Sequence, residues 1–229
     1  MIDIIVLTYN KLDSTKKCVD HLYKYTDEFN LIIVDNNSTD GTAEYLEGLE
    51  QDNLTLYFSP KNLGCVMGRN FAYTLSKDAE YVCFLDNDQF VLSDWVESYM
   101  YYIDRGVHIV GAEGWQMREN FMPYRKVSKG ENHHYVGAGG MFLKREIIED
   151  IGLFDLQYNP MYFEDPDFCW RANSSGYNRI CWNEKQRIHH EPHKLLDAQR
   201  KTFFNDSYRL FRSRWRGRQL PYFSNYVDK

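Results

Sequence analysis

No stretch of the 229 residues stays apolar for long enough to span a bilayer. The opening segment, Met1-Ile2-Asp3-Ile4-Ile5-Val6, lacks the basic start, long apolar region and cleavage site of a secretion signal. A cytoplasmic protein is the expectation. The cysteines, Cys18, Cys65, Cys83, Cys169 and Cys181, are odd in number and include no Cys-x-x-Cys pair. That spacing argues against a disulfide framework or a cysteine-rich zinc module and favours reduced thiols. The chain has no internal repeat, linker or low-complexity stretch. Its net charge of −6 argues against general nucleic-acid binding.

Apolar residues make up 43%, enough for a sizeable core. Aromatic residues reach 16%, and the 18 Tyr and 5 Trp suit a site that stacks sugars or bases, because each ring has an apolar face and a polar edge. Charge is uneven: Lys194 to Arg218 holds eight Lys or Arg against two Asp. A basic end on an acidic body is either a solvated helix face or a contact for phosphate, an acidic partner or the inner membrane surface.

Residues 2–7 form a continuous apolar run broken by Asp3, which predicts a buried strand. Helices are expected over 12–25, 40–49 and 65–76, alternating with buried strands over 31–34, 54–58 and 81–85. That alternation implies an α/β fold with a mostly parallel, Rossmann-like sheet flanked by helices. Ligands bind such sheets beyond the carboxyl ends of the strands, where Thr8, Asp35 and Asp86 fall. After about residue 110 the alternation fades, and 115–135 reads as irregular. Gly137-Ala138-Gly139-Gly140 marks a tight passage, followed by short helices over 145–151 and 165–174 and a strand over 179–182. The expected organisation is one domain over 1–193, with a binding half over about 1–112 and an acceptor half over about 113–193. A basic helical extension over 194–229 follows it.

The first turn, Thr8-Tyr9-Asn10-Lys11-Leu12, has no glycine, which excludes the glycine-rich dinucleotide loop. A diphosphate must be held by some other device, and a metal ion is the obvious one. Asp86-Asn87-Asp88 follows a buried strand, and two carboxylates there can share one Mg²⁺ or Mn²⁺. Asp and Asn also favour turns, so the triplet alone is weak. Asp35-Asn36-Asn37 can read a base edge and ribose hydroxyls, while Ser38, Thr39 or Asp40 caps the next helix. Arg69 can hold a base or a phosphate, or form a surface ion pair. Glu164, Asp165 and Asp167 open a helix, where acids are favoured anyway, yet one of them can serve as a general base. His189-His190-Glu191-Pro192-His193 can supply one imidazole to a metal held by Asp88.

Taken in order, these segments resemble glycosyltransferase family 2, inverting enzymes of GT-A fold. The match runs through Val6-Leu7-Thr8-Tyr9-Asn10, Ile33 to Thr42, Asn62-Leu63-Gly64 with Gly68-Arg69-Asn70, and Leu85-Asp86-Asn87-Asp88. It continues through Gly139 to Glu146, Ile151 to Asp155, Phe163 to Arg171 and Ile188-His189-His190. The resemblance implies a UDP-, dTDP- or GDP-sugar donor and a saccharide or lipid-linked acceptor in bacterial polysaccharide or glycoconjugate synthesis. Thr8, Tyr9, Asn10, Asp35, Asn37, Arg69, Asp86 and Asn87 would bind the nucleotide sugar. Asp88 and His189 would hold the metal, although the adjacent His190 leaves open which ring points inward. Asp165 would be the general base. Position and ring chemistry place Trp115, Tyr124, Tyr135, Gly139, Glu164 and Trp170 near the acceptor. Phe211, Arg214 and Trp215 resemble a helix beside the acceptor cleft. Two alternatives are a non-catalytic nucleotide- or sugar-binding module and a sugar-1-phosphate nucleotidylyltransferase. The second normally carries a glycine-rich basic loop after its first strand, and none is present here.

Overall fold

The computed structural model describes residues 1–191 and 197–225. The chain begins with β1 (Ile2–Thr8), α1 (Leu12–Tyr25), β2 (Phe29–Asp35), α2 (Thr42–Glu47), β3 (Leu54–Phe58), α3 (Cys65–Thr74) and β4 (Tyr81–Asp86). It continues with β5 (Gln89–Val91), α4 (Trp95–Ile103), β6 (Ile109–Gly111), β7 (Gly114–Met117), β8 (Pro123–Lys126) and β9 (Tyr135–Val136). Then come β10 (Met141–Lys144), α5 (Arg145–Ile151), α6 (Glu164–Ser174), β11 (Ile180–Trp182), β12 (Ile188–His190) and α7 (Ala198–Trp215).

The main sheet has the order β11-β6-β10-β4-β1-β2-β3. Only β10 runs antiparallel to its neighbours, so the sheet is mostly parallel, as the alternation predicts. Along β1, Ile2, Ile4 and Val6 enter one core cluster, while Ile5 and Leu7 enter the other. Successive side chains point to opposite faces, and both faces are covered, so the strand reads as an unbroken apolar run. Asp3 is the exception. It is fully buried, and it accepts hydrogen bonds from Asn30 Nδ2 at 2.7 Å and Arg145 Nη2 at 2.5 Å. The parallel register sets Thr8 beside Asp35 and Leu7 beside Asp86, bringing three strand ends to one edge.

The second half departs from expectation. Residues 115–135 are not irregular, because β8, β7 and β9 form a separate three-stranded antiparallel sheet. These strands have two to four residues each, too few to show a period. β10 and β11 return to the main sheet, so both halves of the chain share one core. The expected boundary at 193/194 and the residues Pro192 and His193 lie outside the described residues.

The C-terminal helix starts at Ala198 and is part of the core. Phe211 is fully buried, and it packs with Trp215 around Trp170 at ring separations of 4.8 and 5.3 Å. Trp170 is therefore a core residue, with its indole N–H donating to His134 O, and it does not line an acceptor cleft. Asp167 fixes α7 onto α6. Its Oδ1 accepts from Tyr158 Oη, Arg214 Nη1 and Trp215 Nε1 at 3.0–3.1 Å, and its Oδ2 accepts from Arg171 Nε at 2.9 Å. No helix among the described residues is long and apolar enough to cross a membrane.

Replacing Asp167 by alanine strands these buried donors. Urea denaturation of D167A should show a loss of about 3–5 kcal/mol, against less than about 0.5 kcal/mol for R209A on the exposed side of the same helix. Equal losses in the two variants would contradict the anchoring role.

Candidate functional site

The strand ends deliver the carboxylates. β4 ends at Asp86, and the turn into β5 carries Asn87 and Asp88. Gln89 Oε1 accepts the Asp86 backbone N–H at 2.9 Å and tightens that turn. β12 pairs antiparallel with β5, opposing His190 to Gln89 and His189 to Phe90. Asp86, Asp88 and His190 present ligand atoms that all lie within 4.8 Å of one another. His190 Nε2 is 3.4 Å from Asp88 Oδ1, and its Nδ1 is 3.8 Å from Glu113 Oε1. His189 is on the other face of the strand, exposed and stacked on the Phe90 ring. The expected metal imidazole is thus corrected from His189 to His190. Neighbours in a strand face opposite ways, so only one of the pair can point into the site.

A buried guanidinium ties this cluster to α6. Arg69, in α3, donates from Nη2 to Asp86 Oδ1 at 2.5 Å and from Nη1 to Glu164 Oε1 at 3.0 Å. Its side chain is 8% exposed, so it holds two carboxylates together and is not open to a base or phosphate as expected. Glu164, offered above as an acceptor residue, is buried with one oxygen committed to Arg69. Asp165, next in the chain, lies against the Gly137-Ala138 backbone near the Trp115 indole N–H. Burial, and then the adjacent Glu164, push the Asp165 carboxyl above the ordinary carboxylate range. Asp167 is spent on α7, whereas Asp165 is half-buried.

Gly139 closes the floor. A Cβ at this position would lie 2.4 Å from Asp86 Oδ2 and 3.0 Å from Gln89 Oε1, so only glycine lets the backbone approach. Beside it, burial raises the Asp88 carboxyl, but His190 and Lys11 outweigh that and hold it well below the usual range. Burial lowers the His190 imidazole, and the opposing pull of Asp88, Asp86 and Glu113 raises it on balance.

The nucleoside candidates divide by what their side chains touch. Thr8 Oγ1 and Asp35 Oδ1 are buried with no hydrogen-bond partner among the described residues, and both sit at the strand ends. The other Asp35 oxygen accepts from Ser38 N at 3.0 Å. Asn87 turns away from the cleft, donating to Asn10 O and Thr15 Oγ1 at 2.8 Å each. Asn10 braces the next loop, accepting from Thr39 N through its side chain and donating its own N–H to Ser38 Oγ. Tyr9 and Asn37 are exposed at the rim. Trp115 is half-buried and stacks on the buried Tyr135, while Tyr124 is exposed. Lys11, Gln89 and Glu113 were not among the expected site residues. Their types are ordinary turn and surface residues, and only their distant partners mark them.

Residues 3–170 match the model of glycosyl transferase family 2. Glycosyltransferase AglE of Haloferax volcanii is 25% identical over 198 residues, covering 77% of this chain and 62% of the relative. S. aureus TarS 1-349, solved in complex with UDP-GlcNAc, superposes with a TM-score of 0.63 at 20% identity, covering 85% of this chain and 59% of that one. The mannosyltransferase PcManGT from Pyrobaculum calidifontis, solved with GDP-Man and Mn²⁺, gives a TM-score of 0.64 at 19% identity, with coverages of 84% and 57%. The chain thus spans about three-fifths of the length of each of these proteins. The structural likeness shows the GT-A fold.

Removing Arg69 leaves Asp86 and Glu164 facing each other without a cation. R69M should lose about 3–5 kcal/mol at pH 7. Burial already raises the Glu164 carboxyl, and losing the opposing Arg69 raises it further above its unfolded value, so the deficit should shrink as pH falls toward that unfolded value of about 4.3. Chemical denaturation of wild type and R69M across pH checks both statements, and a pH-independent deficit would refute the second.

Proposed function

The chain belongs to glycosyl transferase family 2, and from that premise we propose that it moves a sugar from a nucleotide-diphosphate sugar to an acceptor hydroxyl with inversion. One observation carries the reading: a metal-capable Asp86, Asp88 and His190 cluster is tied through Asp86–Arg69–Glu164 to the helix start that carries Asp165. Thr8 Oγ1 and Asp35 Oδ1, both buried and unpartnered among the described residues, supply a donor-acceptor and an acceptor, respectively, for a nucleoside. Two proteins of similar structure were solved with UDP-GlcNAc and with GDP-Man, which supports a nucleotide-sugar donor.

Two carboxylates and an imidazole within 4.8 Å fit Mg²⁺ or Mn²⁺, hard ions that accept oxygen ligands and tolerate one nitrogen. Asp88 and His190 would hold the ion, with Asp86 restrained by Arg69 and nearer the donor. When bound, the ion supplies positive charge that stabilises the departing diphosphate. The chain's own residues do the rest. Trp115 and the Gly137–Gly139 backbone position the acceptor beside Asp165. Asp165 takes the proton of the acceptor hydroxyl, and that oxygen forms a bond to the anomeric carbon from the face opposite the diphosphate. The bond to the diphosphate oxygen breaks, and its electron pair leaves with the diphosphate. The raised proton affinity of Asp165 suits a base that must hold the proton it receives.

Assembly of a surface glycan at the inner membrane face is the setting we favour. Its support is the exposed Arg209 and Arg212 on α7 and Arg216 directly after it, against Arg214, which turns inward to Asp155 and Asp167. Vesicles containing phosphatidylglycerol should co-sediment the protein at low salt, and an R212E/R216E variant should remain in the supernatant.

Donor-panel hydrolysis assays with Mn²⁺ test the activity without a known acceptor. D165N should lower transfer by about 10²–10⁴-fold while keeping the thermal shift given by UDP or GDP. The sign of the pH effect follows from the raised Asp165 value. Activity should fall as acidification protonates this base, with a limb above the ordinary Asp value of about 4, and any residual activity of D165N should lack that limb. A D165N enzyme of unchanged rate would sink the assignment.

A further inference from the structure

Each carboxylate of the Asp86-Asn87-Asp88 triplet has an internal cation, and the two cations differ in their freedom to leave. Arg69 is 8% exposed and holds Asp86 and Glu164 at once, so its departure would strand two carboxylates. Lys11 Nζ lies 2.5 Å from Asp88 Oδ2, and 46% of the Lys11 side chain is exposed. An ammonium on a flexible four-carbon stem can swing into water, where it is strongly hydrated.

The contact is built into the backbone. Asn10 and Lys11 both adopt left-handed conformations, with φ of 56° and 64°, which non-glycine residues rarely adopt. They are held there by Asn87 Nδ2 on Asn10 O, Thr39 N on Asn10 Oδ1, and Ser38 Oγ on Asn10 N. The first of these amides is that of Asn87 itself, the middle residue of the triplet. The turn that aims Lys11 at Asp88 is thus braced by the segment that carries Asp88.

A divalent ion that takes Asp88 as a ligand is bound less tightly while an ammonium sits at contact distance on the same carboxylate, because the two positive charges repel. We propose that Lys11 is a resident counter-ion of Asp88 that a divalent cation must displace, so that Lys11 lowers the metal affinity of the site. This rests on the reading of Asp88 as a metal ligand. Asp88 keeps His190 beside it when Lys11 swings out, so the exchange does not strand a buried charge. The arrangement also separates the roles of the two aspartates: the counter-ion of Asp86 is locked, and that of Asp88 is exchangeable.

The test is Mn²⁺ binding to the full chain without nucleotide, read from the electron paramagnetic resonance of free Mn²⁺. K11M and K11Q should bind Mn²⁺ about 3- to 10-fold more tightly than wild type, in keeping with the loss of a half-exposed competing ion pair. Circular dichroism melts in the absence of metal verify that the variants are folded. D88N should abolish binding in either background. Unchanged or weaker binding in K11M and K11Q, with D88N still abolishing it, would overturn the role of Lys11 and leave the metal site standing. If neither wild type nor the Lys11 variants bind Mn²⁺ in a manner that depends on Asp88, with or without UDP, the metal assignment itself falls and takes this inference with it.

Discussion

Arg69 is the tie on which the site depends. Its guanidinium has donors on two sides, and here they take two buried carboxylates from different parts of the chain, Asp86 at the end of β4 and Glu164 at the start of α6. A lysine in its place would offer one point charge and could not span both. Burying an arginine with two carboxylates is costly unless the hydrogen bonds are made, and the structure makes them at 2.5 and 3.0 Å. The consequence is positional. Wherever Asp86 is held, Asp165 stays at a fixed offset from it, because it follows Glu164 directly.

Around that tie the other charges sort themselves by what they are paired with. Asp3 is neutralised by Arg145 far from the cleft, and Asp167 is saturated by four donors that pin α7. Both are fully buried and committed to these internal partners, so neither is open to a ligand. Asp88 and Asp165 remain, one held ionised by Lys11 and His190, the other pushed toward its protonated form by burial and Glu164. Two aspartates with opposed shifts are suited to holding a cation at one and a proton at the other.

The aromatic surplus has a more structural use than the composition suggests. Phe121, Phe163, Trp170, Phe211 and Trp215 pack against one another where α6 meets α7. That cluster keeps the first turn of α6, and with it Glu164 and Asp165, from shifting. Trp115, stacked on Tyr135 beside Gly137, is the ring left facing the cleft.

The order of strands and helices through β4, the strand-end placement of Thr8, Asp35 and Asp86, and membership of the family were legible in the residues themselves. Apolar period and turn chemistry are local properties, so a sequence states them directly. The choice between near-identical neighbours was not legible. His190 faces the site in place of His189 because β12 pairs with β5 in one register, and a strand sends adjacent side chains to opposite sides. Asp167 is closed because α7 covers it, while Asp165, two residues earlier, has no hydrogen bond from α7 among the described residues. The decisive contacts also join distant positions: Lys11 to Asp88 across 77 residues and Arg69 to Glu164 across 95. No local pattern carries information over those separations. Only the packing of the sheet and its helices brings these charges within hydrogen-bonding distance and so assigns each one its role.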